Sequence, residues 1–299
     1  MAKPIAIKTH GLSKRYGQQF ALKNLELEVY EGEVLGYLGP NGAGKTTTIR
    51  LLLGLIKPTA GNATIFGLDA QRKAPEVHRR LAYVPGDVNL WPSLTGKETL
   101  ALLGRVQGRI DPAYRDELIA RFDFDPSMKV RSYSKGNRQK LGLIAALMTR
   151  ADLLVLDEPS SGLDPLMEQT FRGCVREARD RGQTVFLSSH ILSEVGAVCD
   201  RVAILRCGEM LQIGSLDEMR HLSALSVEAT FEGAPPDVGA VPGVFALEVD
   251  GQKLRCRVMG SMEPLLRVLA SEGVRELIST KPSLEELFLS QYGAEGEQK

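Results

Sequence analysis

Residues 39 to 46 read Gly39-Pro40-Asn41-Gly42-Ala43-Gly44-Lys45-Thr46, a full match to G-x-x-x-x-G-K-[ST], and no other stretch constrains the fold as strongly. Such a loop works only between a strand and the start of a helix. Both flanks comply: Glu33 to Leu38 reads as a strand running into the glycines, and Thr46 to Leu53 as a helix stopped by Gly54 and Pro58. In that setting the backbone N–H groups of the loop close around phosphate oxygens and the helix start adds positive potential. Lys45 then neutralises the β and γ phosphates, and Thr46, followed by Thr47, offers a hydroxyl to Mg²⁺. The loop therefore points to a nucleoside triphosphate, with Mg²⁺ as its companion.

The rest of the chain supplies an α/β frame for such a loop. Leu25, Leu27 and Val29 alternate with polar neighbours, the pattern of a half-buried strand in an N-terminal antiparallel sheet. By contrast Leu153 to Leu156, Thr184 to Leu187 and Val202 to Leu205 are apolar without alternation, as expected of strands buried on both faces of a parallel sheet. Thr95 to Val106, Ala113 to Phe122 and Ser134 to Thr149 read as helices, with few strand signals between Leu90 and Arg150, so a helical insertion is expected there. Ser215-Leu216-Asp217-Glu218 is a capping-box pattern opening a helix that fades near His221.

Beyond that point the texture changes. Ser226 to Phe231, Phe245 to Val249 and Lys253 to Val258 read as short strands, with a hairpin signal at Asp250-Gly251. A helix from Glu263 to Ser271, a strand from Val274 to Ser279, a helix from Leu284 to Leu289 and a solvated tail from Gly293 follow. The expected division is residues 1–222 and a small α+β domain over residues 223–299. Charge supports it: the 299 residues carry 37 Lys+Arg and 37 Asp+Glu, yet residues 223–299 hold 7 against 12 and residues 1–222 hold 30 against 25. The zero is a cancellation, and it gives no overall pull towards nucleic acid or anionic lipid.

No apolar run approaches the roughly 20 residues of a membrane span. The N-terminus lacks the apolar core of a secretory signal, and the four scattered cysteines suggest neither a disulfide framework nor a zinc site. The expected compartment is the cytoplasm.

Leu153-Leu154-Val155-Leu156-Asp157-Glu158 places two carboxylates at the end of a buried strand. Carboxyl ends of parallel strands form the ligand edge of such sheets, so these acids are expected to face the phosphates. Asp157 would hold Mg²⁺, directly or through water, and Glu158 would polarise the attacking water.

Several further motifs resemble one family of P-loop NTPases. Ser134-Lys135-Gly136-Asn137-Arg138-Gln139 lies upstream of Asp157, Ser161-Gly162-Leu163-Asp164-Pro165 follows it, and His190 ends the Val185-Phe186-Leu187-Ser188-Ser189 strand. In this order they resemble the signature, D-loop and switch histidine of the nucleotide-binding domain of ABC transporters, over roughly residues 5–222. Singly each has a plainer reading: Ser134 as a helix N-cap, Gly162 to Pro165 as a turn, His190 as a structural histidine. The resemblance implies a P-loop NTPase ABC-type ATPase domain with a parallel core sheet, an antiparallel β subdomain and a helical subdomain over about residues 90–150.

The resemblance also implies a head-to-tail dimer, each ATP lying between the P-loop of one chain and the signature of the other. Ser134 and Gly136 would then contact the γ-phosphate across the interface, Asp164 would couple the two sites, and His190 would bond the γ-phosphate and help position the water. The catalytic groups would be Glu158, His190 and Lys45. Tyr16 matches the aromatic that stacks on adenine; a half-buried strand-end tyrosine is the alternative.

Two departures stand out. Gly86, in Tyr83-Val84-Pro85-Gly86-Asp87, occupies the place of the usual glutamine and has no side chain to offer a metal or water; Asp87 compensates, or the loop moves without that contact. In the signature, Tyr133, Lys135 and Asn137 replace the commonest residues while Ser134 and Gly136 are kept. Pro282 to Phe288 resembles the ending of ATPases from bacterial ABC-2-type drug and antibiotic exporters, though it is equally a good helix start.

The function implied is an ATPase subunit that drives export through a separate integral membrane permease. It would pair with a second ATPase chain, most simply an identical one, and sit peripherally on the inner face of the cell membrane. The permease would be gripped by the helical segment, with Trp91-Pro92 a candidate contact. The alternative, a soluble ABC-type ATPase acting on nucleic acid or ribosomes, would carry two modules or a long coiled coil, and neither is present.

Overall fold

The computed structural model describes residues 3–108, 110–215, 218 and 225–280. Two compact units emerge from the contacts, Met1–Ile213 and Gly214–Lys299. The division falls within the last strand of the first unit, and the capping pair lies just beyond it. Ser215 N donates to Glu218 Oε2 at 2.7 Å and Glu218 N to Ser215 Oγ at 3.1 Å, the reciprocal bonds of a capping box.

The first unit begins with β1 (Ile5–Tyr16) and β2 (Gln19–Tyr30), then β3 (Val34–Leu38) and α1 (Lys45–Leu52). It continues through β4 (Ala60–Ile65), β5 (Leu68–Asp69), α2 (Ala74–His78) and β6 (Leu81–Val84). Next come the insertion helices α3 (Gly96–Gln107), α4 (Pro112–Arg121) and α5 (Lys135–Leu147), whose only strand-like feature among the described residues is an isolated bridge, Thr95 to Lys129. Finally β7 (Leu153–Asp157), α6 (Pro165–Asp180), β8 (Thr184–Ser189), α7 (Leu192–Val198), β9 (Arg201–Arg206) and β10 (Glu209–Ser215) complete it.

Two sheets result. The antiparallel one has the order β2-β1-β4-β5, and the other the order β10-β9-β3-β8-β7-β6, in which β9, β3, β8, β7 and β6 pair in parallel. Every residue of β3, β7 and β8 is buried, which explains why these strands lack alternation in the sequence. Helix α1 joins the sheets: Ile49, Leu51 and Leu52 share one core with Ile7, Leu27 and Ile65 of the antiparallel sheet and with Leu35, Val155 and Phe186 of the parallel one. The loop preceding α1 is thus anchored from both sides.

In the second unit β11 (Leu225–Phe231), β12 (Val244–Asp250), β13 (Lys253–Val258) and β14 (Val274–Thr280) form an antiparallel sheet, order β12-β13-β11-β14. The expected hairpin lies between Asp250 and Lys253, which pair across it. Helix α8 (Glu263–Ser271) buries Leu265 and Leu269 against Val227, Phe231, Leu254 and Val258. The alternate positions carry charge, with Glu228 bonded to Arg255 at 3.1 Å and Lys253 at 3.3 Å. The expected helix at Leu284 to Leu289, the tail from Gly293 and the Pro282 to Phe288 motif lie outside the described residues.

Candidate functional site

Strand β3 ends at Leu38, and Gly39 to Gly44 turn the chain into α1. Gly44 has φ 110°, and a Cβ there would lie 2.5 Å from the Ala21 carbonyl oxygen, so only glycine fits. Lys45, 5% exposed, directs its ammonium back over the loop, donating to the carbonyls of Gly39 at 2.7 Å and Pro40 at 3.2 Å. A third neighbour is Glu158 Oε1 at 3.3 Å. Asn41, Gly42, Gly44, Lys45, Thr46 and Thr47, with Ala21 and Glu158, line an open cleft of about 170 Å³.

The acids at the end of β7 meet this loop as expected. Asp157, 2% exposed, accepts from Thr46 Oγ1 at 3.0 Å and from Ser188 Oγ at 2.5 Å, so both carboxylate oxygens are satisfied. The hydroxyl and carboxylate together form the hard oxygen set that suits Mg²⁺ bound beside phosphates. Tyr83 stands near enough to feel this charge: burial first, then Asp157, push its phenol up to about 12, which keeps it a neutral hydroxyl.

Glu158 leaves the strand in the left-handed region, φ 47°, a conformation costing a non-glycine residue about 1 kcal/mol or more. Its N–H donates to Ser188, to the carbonyl at 3.1 Å and to Oγ at 3.2 Å, which holds the turn. Its Oε1 thereby reaches both Lys45 Nζ, at 3.3 Å, and His190 Nδ1, at 3.4 Å. Lys45, Glu158 and His190 are gathered at one edge of the parallel sheet.

The signature residues do not join them. Ser134 caps α5, accepting from Asn137 N at 3.2 Å, and is exposed. Gly136 packs so closely on the D-loop that a Cβ would sit 2.6 Å from the Gly162 carbonyl oxygen. Lys135 Nζ donates to Ser161 Oγ at 3.0 Å and Gln139 Nε2 to the Pro159 carbonyl at 2.9 Å. Asp164 caps α6, accepting from Met167 N at 2.9 Å. Ser134, Gly136 and Asp164 are all absent from the lining of the P-loop cleft.

Tyr16 ends β1 with 52% of its surface exposed and Lys14 5.2 Å above its ring, an arrangement compatible with either reading given above. Gly86 follows β6 and brings no side chain, and the Asp87 carboxylate accepts from Asn89 Nδ2 at 3.1 Å. Sequence reasoning missed Ser188, whose hydroxyl holds Asp157 and the turn at Glu158. Only its place in the small polar pair before His190 hinted at it.

With this geometry in view, comparison with known proteins decides the family. Residues 22–161 match the family described as ABC transporter. The daunorubicin resistance ATP-binding protein DrrA3 of Streptomyces coeruleorubidus is 36% identical over 300 residues, covering 95% of this chain and 95% of the relative. This chain belongs to the ABC transporter ATP-binding proteins. The bacitracin transport ATP-binding protein BcrA of Bacillus licheniformis is 38% identical to this ABC ATPase over 72% of its chain and 71% of the relative. The Nod factor export ATP-binding protein I of Rhizobium etli is 32% identical, over 98% and 95%.

Among solved structures, an ATP-binding subunit of an ABC transporter aligns with a TM-score of 0.67 at 31% identity, covering 72% of this ABC ATPase and 92% of that chain. A bacterial ABC transporter cassette solved as a dimer, at 24% identity and TM-score 0.65, shows the same fold.

Proposed function

We propose that this ABC ATPase hydrolyses ATP in a head-to-tail pair of chains and thereby drives export through a separate membrane permease. One observation carries the pairing: the P-loop cleft contains no signature residue of its own chain, while Ser134 and the start of α5 stand exposed elsewhere. A second copy is the simplest source of the missing contacts. Each relative named above is called a resistance, transport or export protein, which favours export and gives no support to a nucleic-acid or ribosomal role.

In this reading Lys45 balances the β and γ phosphates, and Thr46 with Asp157 would hold Mg²⁺, which when bound offsets charge on the transferring phosphoryl group. Glu158 takes a proton from the attacking water and His190 orients that water, their 3.4 Å approach supporting a shared task. Ser134 and the Gly136 N–H of the partner donate to the γ-phosphate from a helix start. Asp164 couples the two sites, and Tyr16 stacks on adenine, as its exposure permits.

The permease part rests on a groove of about 390 Å³ between the core and the insertion helices, lined by Leu55, Tyr83, Leu90, Val106 and Ala145 among others. Leu55, Val106 and nearby Trp91 are exposed apolar side chains, suited to an apolar helical segment of a permease. No helix among the described residues is long and apolar enough to cross a membrane, so the transport path is assigned to another chain.

Mixing tests the pairing. Lys45→Ala and Ser134→Arg chains should each be nearly inactive, and their mixture should regain hydrolysis because the mixed pair contains one intact site. Dimers that form without regaining activity would overturn the arrangement.

A further inference from the structure

Glu194 lies in the first turn of α7, only 9% exposed, and belongs to no motif discussed above. An acid there would ordinarily serve its own helix start. Here the carboxylate instead accepts from two side chains of other segments: Ser160 Oγ on Oε1 at 2.6 Å, and Ser189 Oγ on Oε2 at 2.7 Å. Both hydroxyls are buried, and charge-assisted bonds of this length in a shielded setting are among the stronger ones a protein makes.

The identity of the two loops gives this bridge its meaning. Ser160 stands two residues after Glu158, and Ser189 stands immediately before His190. Ser189 is held from other directions as well: its hydroxyl accepts from Ile191 N at 2.9 Å, and its carbonyl accepts from Gly39 N at the mouth of the P-loop at 3.3 Å. One buried carboxylate therefore ties together the loop that carries Glu158, the loop that carries His190 and, through Ser189, the first residue of the P-loop. The left-handed backbone at Glu158 persists only where its surroundings over-determine it, and the Ser160 tie is one of those constraints.

We propose that Glu194 is a positioning residue for hydrolysis: its carboxylate sets the spacing of Glu158 and His190 at the γ-phosphate. The proposal rests on the roles given above to those two residues. Glu194 does not line the P-loop cleft, so its loss acts on the chemical step rather than on binding. Misplacement of a reacting group by about 1 Å costs up to about 100-fold in rate.

Full-length Glu194→Gln, which keeps one acceptor but replaces the other with a donor, should lose roughly 10- to 100-fold in kcat. Its KM for ATP and its ATP affinity by calorimetry should stay within about twofold. Ser160→Ala and Ser189→Ala each cut one arm of the bridge and should show the same split, which keeps the test valid where Glu194→Gln does not fold. In a Glu158→Gln background, Glu194→Gln should add almost nothing, because groups acting as a unit are non-additive. Wild-type kcat in the folded Glu194→Gln protein, or a fully multiplicative loss in the double variant, would overturn the proposal. Failure of the underlying assignment is separate: it would show as wild-type hydrolysis by Glu158→Gln alone.

Discussion

The two edges of the ATPase unit that are assigned to ATP are built on opposite plans. At the P-loop edge the charges are buried and interlocked: Lys45 meets two carbonyls and Glu158, and Asp157 is saturated by Thr46 and Ser188. At the signature edge the polar groups point outward, and closeness is achieved by backbone, with Gly136 seated on Gly162. The first edge gathers the groups assigned to phosphate at one place, and they exchange bonds within their own loop for bonds to the nucleotide. The second is a rigid platform whose exposed donors find no phosphate cradle in their own chain. Catalysis by an isolated chain should therefore be poor, while nucleotide binding should survive isolation.

The sharpest way to break this contrast is at Glu158. Glu158→Gln removes the proton acceptor and leaves the cleft, so kcat should fall about 10²- to 10⁴-fold while ATP is still bound and closed dimers accumulate in size-exclusion chromatography. Lys45→Ala attacks binding at the same edge. The loss of a charge-assisted contact of about 1.5–3 kcal/mol should weaken ATP affinity at least about tenfold in calorimetry.

Gly136→Ala tests the other edge. Its Cβ would collide with the Gly162 carbonyl, displacing the start of α5 at a cost of about 1–3 kcal/mol, so hydrolysis should drop with ATP affinity for the P-loop unchanged. An equal loss of affinity would mean that the edges are not separable.

The smallest effect concerns what holds the insertion helices to the core. Arg121 of α4 makes a bidentate pair with Glu177 of α6, both bonds 2.8 Å, and the pair is partly exposed. Arg121→Ala should cost about 0.2–1 kcal/mol, visible as a shift of at most about 4 °C in Tm. The Arg121 guanidinium holds the Glu177 carboxyl below its ordinary value of 4.5. A depressed carboxyl stabilises the fold above the unfolded value and loses that contribution as pH falls through the folded one. The difference between wild type and Arg121→Ala should accordingly be full at neutral pH and shrink below about 4.5.

Much of this was legible in the sequence because local rules and the fold agree. The octapeptide at 39–46, the strand ending in Asp157-Glu158 and the cap at Ser134 each carry their signal within a few residues, and α8 spans the residues read for it, Glu263 to Ser271. Helix α6 is not among the helices read from the sequence, although its start is well marked, with Asp164 as cap and Pro165 in the first turn. Its apolar stripe is Met167, Phe171, Cys174 and Ala178, interleaved with charged residues that dilute the signal in the sequence. The role of Glu194 was out of reach for a different reason. A lone glutamate in a helix says nothing until folding brings Ser160 and Ser189 to its two oxygens.

The strand order has a consequence for synthesis. β3, which carries the P-loop, pairs with β8 and β9, two strands that are made long after it. Until the chain has grown past Ser189, the glycine-rich loop has neither of its flanking neighbours in the parallel sheet and no Ser188 or Ser189 to fix its companions, and its second neighbour, β9, is complete only at Arg206. Pairing over such sequence separation is slow, because the intervening chain must be closed into a loop first. During translation the emerging N-terminal half should therefore be unable to grip ATP. Nucleotide would act as a late stabiliser of a nearly finished domain, not as a template for an early one.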